Sequence, residues 1–178
     1  MFFVWILMML GFAVLDQVSK LLVLNYLNPE EPFILWEGVF RFSYVENRGA
    51  AFGMLSDHRW VFMVVSAVAI VALLVYLWKC PPQSKLACVA ISMVAGGGIG
   101  NMIDRVRLGF VVDFLDFYLF PNLWKWVFNL ADAFVCVGGG LLLLWCILEI
   151  IQEAKTAKAA KATEQSDHTD HNDQSKES

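Results

Sequence analysis

WVFMVVSAVAIVALLVYLW, the stretch Trp60–Trp78, contains no charged residue. At a rise of about 1.5 Å per residue, a helix of this length approaches the thickness of a bilayer's hydrocarbon core, about 30 Å. Working outward, three further stretches read the same way. Phe2–Leu24 has no charge before Asp16, Leu86–Ile103 carries only Asn101 as a strongly polar group, and Val127–Ile151 carries Asn129, Asp132 and Glu149. The 178 residues are 58% hydrophobic with a mean hydropathy of +0.59, well above an ordinary soluble domain. These stretches predict an all-α membrane protein: a four-transmembrane-helix bundle over residues 1–151, with spans near 2–24, 60–78, 86–103 and 127–151. The first span has no Lys or Arg ahead of it and no small-residue cleavage pattern behind it, so it reads as a retained anchor.

Between the first two spans lie residues 25–59, too long for a simple helical hairpin. Val39–Val45 alternates as a strand does, and Glu46-Asn47-Arg48-Gly49 supplies turn chemistry before Ala50-Ala51-Phe52-Gly53. A small β-sheet cradle in this first outer loop is expected, resting at the membrane surface. A second long connection, Arg105–Trp126, is rich in interfacial aromatics and shares that side. Residues 152–178 lose their aromatic and large aliphatic side chains. They are expected to extend the fourth helix briefly and then form a disordered cytoplasmic tail, to which His168 and His171 belong. Lys79, Lys85, Lys155, Lys158 and Lys161 on one side stand against Arg41, Arg48, Arg59, Arg105, Arg107 and Lys125 on the other, so the count of basic residues does not decide orientation. With Arg48 and Arg105 set aside as functional and the residues nearest the membrane in short loops weighted most, the cytoplasm is marginally favoured for the Pro81-Pro82 loop and the tail.

A net charge of −4 argues against a nucleic-acid partner. Cys80, Cys88, Cys136 and Cys146 lack metal-ligand spacing, so neither metal nor disulfide is implied.

Ionisable groups inside a bilayer cost about 2.5–3.5 kcal/mol each on insertion scales, so their placement carries information. In an up-down-up-down bundle, Asp16 and Lys20, Asn101 and Asp104, and Asn129 and Asp132 all reach the side that bears the long loops. Asp16 and Lys20 lie four apart, and Asn129 and Asp132 three apart, so each pair shares a helix face. Gly96-Gly97-Gly98-Ile99-Gly100 offers a small face for close helix approach. Asp113, set among Val111, Val112 and Phe114, and Asp132 form a candidate carboxylate pair. Two such groups brought together cannot both ionise, and the pair can serve as base and acid towards a water attacking an amide. Spacing leaves Asp104 and Asp116 as rivals, and either acid of the pair could instead cap a helix or bind loop backbone. Ser19 and Lys20 do not face one another as a dyad would, and there is no HExxH and no GxGD. The other functional class is a small transporter or proton channel, with Asp16, Lys20, Asp104 and Asp132 as a relay. The apolar inner halves of the later spans argue against it.

Five blocks in order resemble the lipoprotein signal peptidase (signal peptidase II) family. They are Asp16-Gln17-Val18-Ser19-Lys20, Asn47–Gly53, Gly97–Arg105, Val111–Phe114 and Phe128–Asp132. Gly98 replaces an alanine often seen in the third block. The resemblance implies an aspartic endopeptidase with Asp113 and Asp132 catalytic, and with Asn47, Asn101, Arg105 and Asn129 lining the substrate site. Asp16, Lys20, Asp104 and Gly97 would support them. It further implies no metal or other cofactor and both termini in the cytoplasm of a bacterial inner membrane, with the active site near the outer face. The implied partners are membrane lipid and prolipoproteins carrying diacylglyceryl-cysteine, cut on the N-terminal side of that cysteine, and a monomeric state is expected.

Overall fold

The computed structural model describes residues 2–48, 59–119 and 126–174. In chain order come α1 (Phe2–Tyr26), β1 (Phe33–Trp36), β2 (Phe40–Asn47), α2 (Arg59–Lys79), α3 (Lys85–Arg107), β3 (Val111–Phe117), β4 (Val127–Phe128) and α4 (Leu130–Gln174). Among the described residues three helical stretches are long and apolar enough to cross a membrane: Phe2–Tyr26, Lys85–Arg107 and Leu130–Lys158. The apolar stretch Met63–Lys79 within α2 is shorter. The chain forms two compact units, Met1–Leu141 and Leu142–Ser178.

The first unit is inside out by the standard of a water-soluble protein. On α1 the outward side chains are Leu7, Leu10, Val14, Leu15, Val18 and Leu22, whereas Asp16 and Lys20 are almost fully buried. Hydrocarbon around the helices would remove the cost of exposing the aliphatic residues, and the helix interior is the place where the charged ones find partners.

Glycines set how closely α3 meets its neighbours. A Cβ at Gly96 would lie 2.6 Å from the Met9 carbonyl oxygen on α1, and one at Gly97 would lie 2.5 Å from that of Ala131 on α4. Gly138 makes the reciprocal approach from α4, where a Cβ would lie 2.8 Å from the Ala90 carbonyl oxygen. Backbones this close bring the polar groups of α1, α3 and α4 within direct hydrogen-bond reach.

The four strands form one antiparallel sheet in the order β1-β2-β3-β4. This corrects the expectation of a sheet built in the first loop alone: β3 and β4 come from the second long connection. After α3, Gly109 at φ +84° turns the chain straight back into β3, a conformation that a side chain would disfavour. Val112 and Phe114 then pack with Val23 of α1 in a buried apolar cluster that fixes the sheet to the helix end. Helix α4 starts at Leu130 rather than near residue 127, because Val127 and Phe128 pair with β3 and Asn129 caps the helix. Gly49, Ala50, Ala51, Phe52 and Gly53, together with His58 and Lys125, lie outside the described residues.

The second unit is the rest of α4. Its stretch beyond Gln152 is rich in Ala, Lys, Glu and Gln, which favour helix, and the helix runs through Gln174. Trp145 Nε1 donates to Glu149 Oε1 at 3.0 Å, one turn on.

Candidate active site

The base of the site is a buried ion cluster. Lys20 Nζ lies 2.9 Å from both Asp16 Oδ2 and Asp104 Oδ2 and donates to Asn101 Oδ1 at 2.9 Å. An ammonium has three N–H donors, and each has an acceptor. Two carboxylates against one ammonium leave an excess negative charge, which neutral donors offset. Ala131 N–H, in the first turn of α4, donates to Asp16 Oδ1 at 2.9 Å, so Asp16 caps a helix it does not belong to. Val112 N–H donates to Asp104 Oδ2 at 3.1 Å, and Gln17 Nε2 to Asp104 Oδ1 at 2.8 Å. Among the described residues no buried side-chain nitrogen or oxygen lacks a partner. A buried cluster survives only with such saturation.

Above this base, two asparagines transmit a fixed polarity. Because Lys20 can only donate, Asn101 must turn its Oδ1 towards it. Asn101 Nδ2 therefore faces away and donates to Asp132 Oδ1 at 2.8 Å. Asn129 Nδ2 donates to Asn101 Oδ1 at 3.1 Å and to Asp113 Oδ1 at 2.6 Å. Its own Oδ1 accepts from Asp132 N–H at 2.9 Å, while Asp132 Oδ2 accepts from Asn129 N–H at 3.3 Å. That is a reciprocal capping box at the start of α4, and it holds the Asp132 carboxylate at a helix N-terminus. Asn47 Nδ2 completes the set by donating to Asp113 Oδ2 at 2.9 Å. Each of the four oxygens of Asp113 and Asp132 thus accepts an N–H.

Asp113 lies between Val112 and Phe114 and is only 2% exposed. Burial, opposed by the bonds from Asn47 and Asn129 and reinforced by the charge of Asp132, pushes its carboxyl up from 3.8 to about 7. A carboxyl that holds its proton near neutrality beside a second carboxylate is the chemistry of a shared-proton pair.

The sequence-derived residues Asp16, Lys20, Asn47, Asn101, Asp104, Asp113, Asn129 and Asp132 all join this one network. Of the other two acids, Asp104 is occupied by Lys20, Gln17 and the Val112 N–H, and Asp116 lies on the opposite face of β3 from Asp113. Arg105 donates to the Asn101 carbonyl at 3.3 Å and lies within electrostatic reach of Asp132, Asp113 and Asp104. A Cβ at Gly97 would meet the Ala131 carbonyl oxygen and Val135, so Gly97 acts by letting α4 approach. Sequence reasoning did not single out Gln17, whose Nε2 reaches Asp16, Asp104 and the Gly100 carbonyl. Its spacing of three from Lys20 was the available signal.

The signal peptidase (SPase) II family model matches residues 8–148. The lipoprotein signal peptidase of Clostridioides difficile (strain 630) is 44% identical over 142 residues, covering 80% of this chain and 91% of that protein. That of Halothermothrix orenii is 44% identical over 131 residues, covering 74% and 86%. A solved bacterial membrane enzyme, determined by the in meso method at 2.3 Å, superposes with a TM-score of 0.74 at 28% identity, covering 83% of this chain and 89% of that one.

Proposed function

The chain belongs to the signal peptidase II family, and from that premise we propose that it is a membrane-embedded aspartic endopeptidase that removes signal peptides from diacylglyceryl-modified prolipoproteins. It cuts on the N-terminal side of the lipidated cysteine, with Asp113 and Asp132 as the catalytic pair. The observation that carries this reading is the placement of Asn129: its Nδ2 donates to the Asp113 carboxylate, its Oδ1 accepts from the Asp132 N–H, and its own N–H donates to Asp132 Oδ2. The ionised acid takes a proton from water as the water oxygen attacks the scissile carbonyl carbon. The protonated acid then supplies the proton for the leaving nitrogen as the C–N bond breaks. Asn47, Asn101, Arg105 and Asn129 orient the peptide, and Arg105 is suited to charge-assisted bonds with its carbonyl oxygens. Asp16, Lys20, Asp104 and Gly97 hold this arrangement in place.

In this reading residues 1–151 form the peptidase domain, a monomer whose four helices span the bacterial inner membrane, and residues 152–178 are a cytoplasmic tail. Both termini are cytoplasmic and the sheet lies over the acids at the outer face. The test is cleavage of a diacylglyceryl-modified prolipoprotein peptide by purified protein in lipid, with and without a chelator. Chelator-resistant cleavage before the modified cysteine is expected. Its absence from well-folded protein overturns the reading.

A further inference from the structure

Helix α3 meets its three neighbours through glycines. Gly96 and Gly100 lie against Met9 and Asp16 of α1, Gly97 against Ala131 of α4, and Gly98 against Ile70 of α2. With about 100° of turn per residue, Ile99, Met102, Ile103 and Val106 fall on the strip between the α1 and α2 contacts, on the far side of α3 from Gly97 and α4. These four side chains and Arg107 line an open hollow of about 370 Å³. It is separate from the network around Asp113 and Asp132.

The hollow has one charged end. Arg107 is the last residue of α3, just before the turn into the sheet. Arg41 and Arg48 are matched by Asp116 and Glu46, but among the described residues Arg107 forms no ion pair. Its Nη1 donates to Gln17 Oε1 at 3.5 Å, and Gln17 Nε2 in turn donates to Asp104 in the buried ion cluster. A cation suits the C-terminal end of a helix, which accounts for its place but supplies no counter-anion. From Arg107 back to Ile99 the helix rises about 12 Å, close to half of a hydrocarbon core of about 30 Å. A chain hung from an anion at Arg107 would therefore run towards the middle of the bilayer over aliphatic and thioether side chains.

We propose that this hollow binds one phospholipid with a net negative headgroup, drawn from the leaflet on the sheet's side: the phosphate pairs with Arg107 and one acyl chain lies over Ile99, Met102, Ile103 and Val106. The guanidinium fork matches phosphate oxygens, and the bond to Gln17 limits its rotation. A zwitterionic headgroup fits less well, because the acids nearest Arg107 through Gln17, Asp16 and Asp104, are buried and already bonded to Lys20 and so cannot receive its cation. The site stands whether or not the peptidase reading holds.

The experiment is native mass spectrometry of the full chain, delipidated in detergent and then mixed with phosphatidylglycerol or phosphatidylcholine of the same acyl chains. Wild type should hold one phosphatidylglycerol about fivefold better than phosphatidylcholine, the worth of one Lys or Arg against an anionic headgroup. Arg107→Gln should erase that preference. Val106→Trp, which fills the hollow and leaves the charge in place, should weaken retention of both lipids. Arg48→Gln removes an exposed arginine already paired with Glu46 and should change nothing. Equal retention of the two lipids by wild type, an undiminished preference in folded Arg107→Gln, or loss of the preference in Arg48→Gln as well overturns the proposal. So does unchanged retention in Val106→Trp, which also decides the matter where Arg107→Gln does not fold. A wild-type dimer that Val106→Trp converts to monomer would show a second copy of the chain over the hollow, and overturns it too.

Discussion

Lys20 Nζ donates to Asn101 Oδ1 at 2.9 Å, and this one bond orients every amide between the ion cluster and the two acids. A methionine at position 20 would retain the side chain's length, remove the donor, and leave Asp16 and Asp104 buried without their cation. Breaking a buried pair in this way costs about 3–5 kcal/mol. Lys20→Met should therefore accumulate poorly and melt far below wild type, and the added change Asp104→Asn should recover part of the loss. Thermal melts in detergent check both, and equal melting of Lys20→Met and wild type would refute the cluster's role.

Asp113→Asn and Asp132→Asn each remove an ionisable group while keeping its shape and one carbonyl acceptor. Both should fold and lose cleavage by at least about a thousandfold, the scale of an acid–base contribution. Asp116→Asn should lose far less, because that carboxyl lies on the other face of β3. A quantitative peptide cleavage series ranks the three.

Asp113 also sets a pH dependence. Its folded-state carboxyl titrates near 7 against 3.8 ordinarily, so between those values the folded protein holds a proton that the unfolded chain has released. Stability from this group is fully present below pH 3.8 and is lost as pH rises towards 7, by at most about 4 kcal/mol. Wild type should thus lose stability between pH 5 and pH 8 (about the span of this titration) to an extent that Asp113→Asn does not. For the same reason kcat/KM should fall above about pH 7 as the shared proton leaves. A flat alkaline profile contradicts this.

Three glycines give contrasting outcomes. A Cβ at Gly100 would collide with the Asp16 carboxylate, and one at Gly97 with the Ala131 carbonyl oxygen, whereas Gly139 has nothing within 4 Å. Gly100→Ala and Gly97→Ala should each destabilise by about 1–3 kcal/mol through overpacking, with Gly100→Ala also disturbing the ion cluster. Gly139→Ala should be neutral or stabilising by up to about 1 kcal/mol through helix propensity. Melting temperatures of the three variants check the order.

The parts of this site that follow helical spacing were legible in the sequence. Asp16 with Lys20 and Asn129 with Asp132 share helix faces by their separation, and both pairs bond as the spacing implies. Which of Asp113 and Asp116 bonds to Asn129 at the start of α4 was not open to spacing, since both sit among aromatic and aliphatic neighbours. It depends on which face of β3 turns towards α4, and that is fixed by pairing with a distant strand. Gln17 was hidden for a related reason: its partners Gly100 and Asp104 belong to α3, and their meeting depends on how closely two backbones approach. β4 was absorbed into the predicted fourth span because Val127 and Phe128 are apolar in either setting, and only the Asn129 cap marks the boundary.

Asn129 does two separable things, and two substitutions separate them. Its Oδ1 caps α4 by accepting the Asp132 N–H, and its Nδ2 joins Asp113 to Asn101. Serine keeps a capping oxygen but is too short to reach Asp113, and alanine loses both roles. Asn129→Ala should therefore melt below Asn129→Ser by the worth of a cap, about 0.5–2 kcal/mol. Loss of the amide bridge is common to both, so cleavage should fall to a similar low level in each, with Asp113 freer to rotate away from Asp132. Wild-type cleavage by a folded Asn129→Ser protein would mean that the cap alone matters and that the bridge between the two acids is incidental.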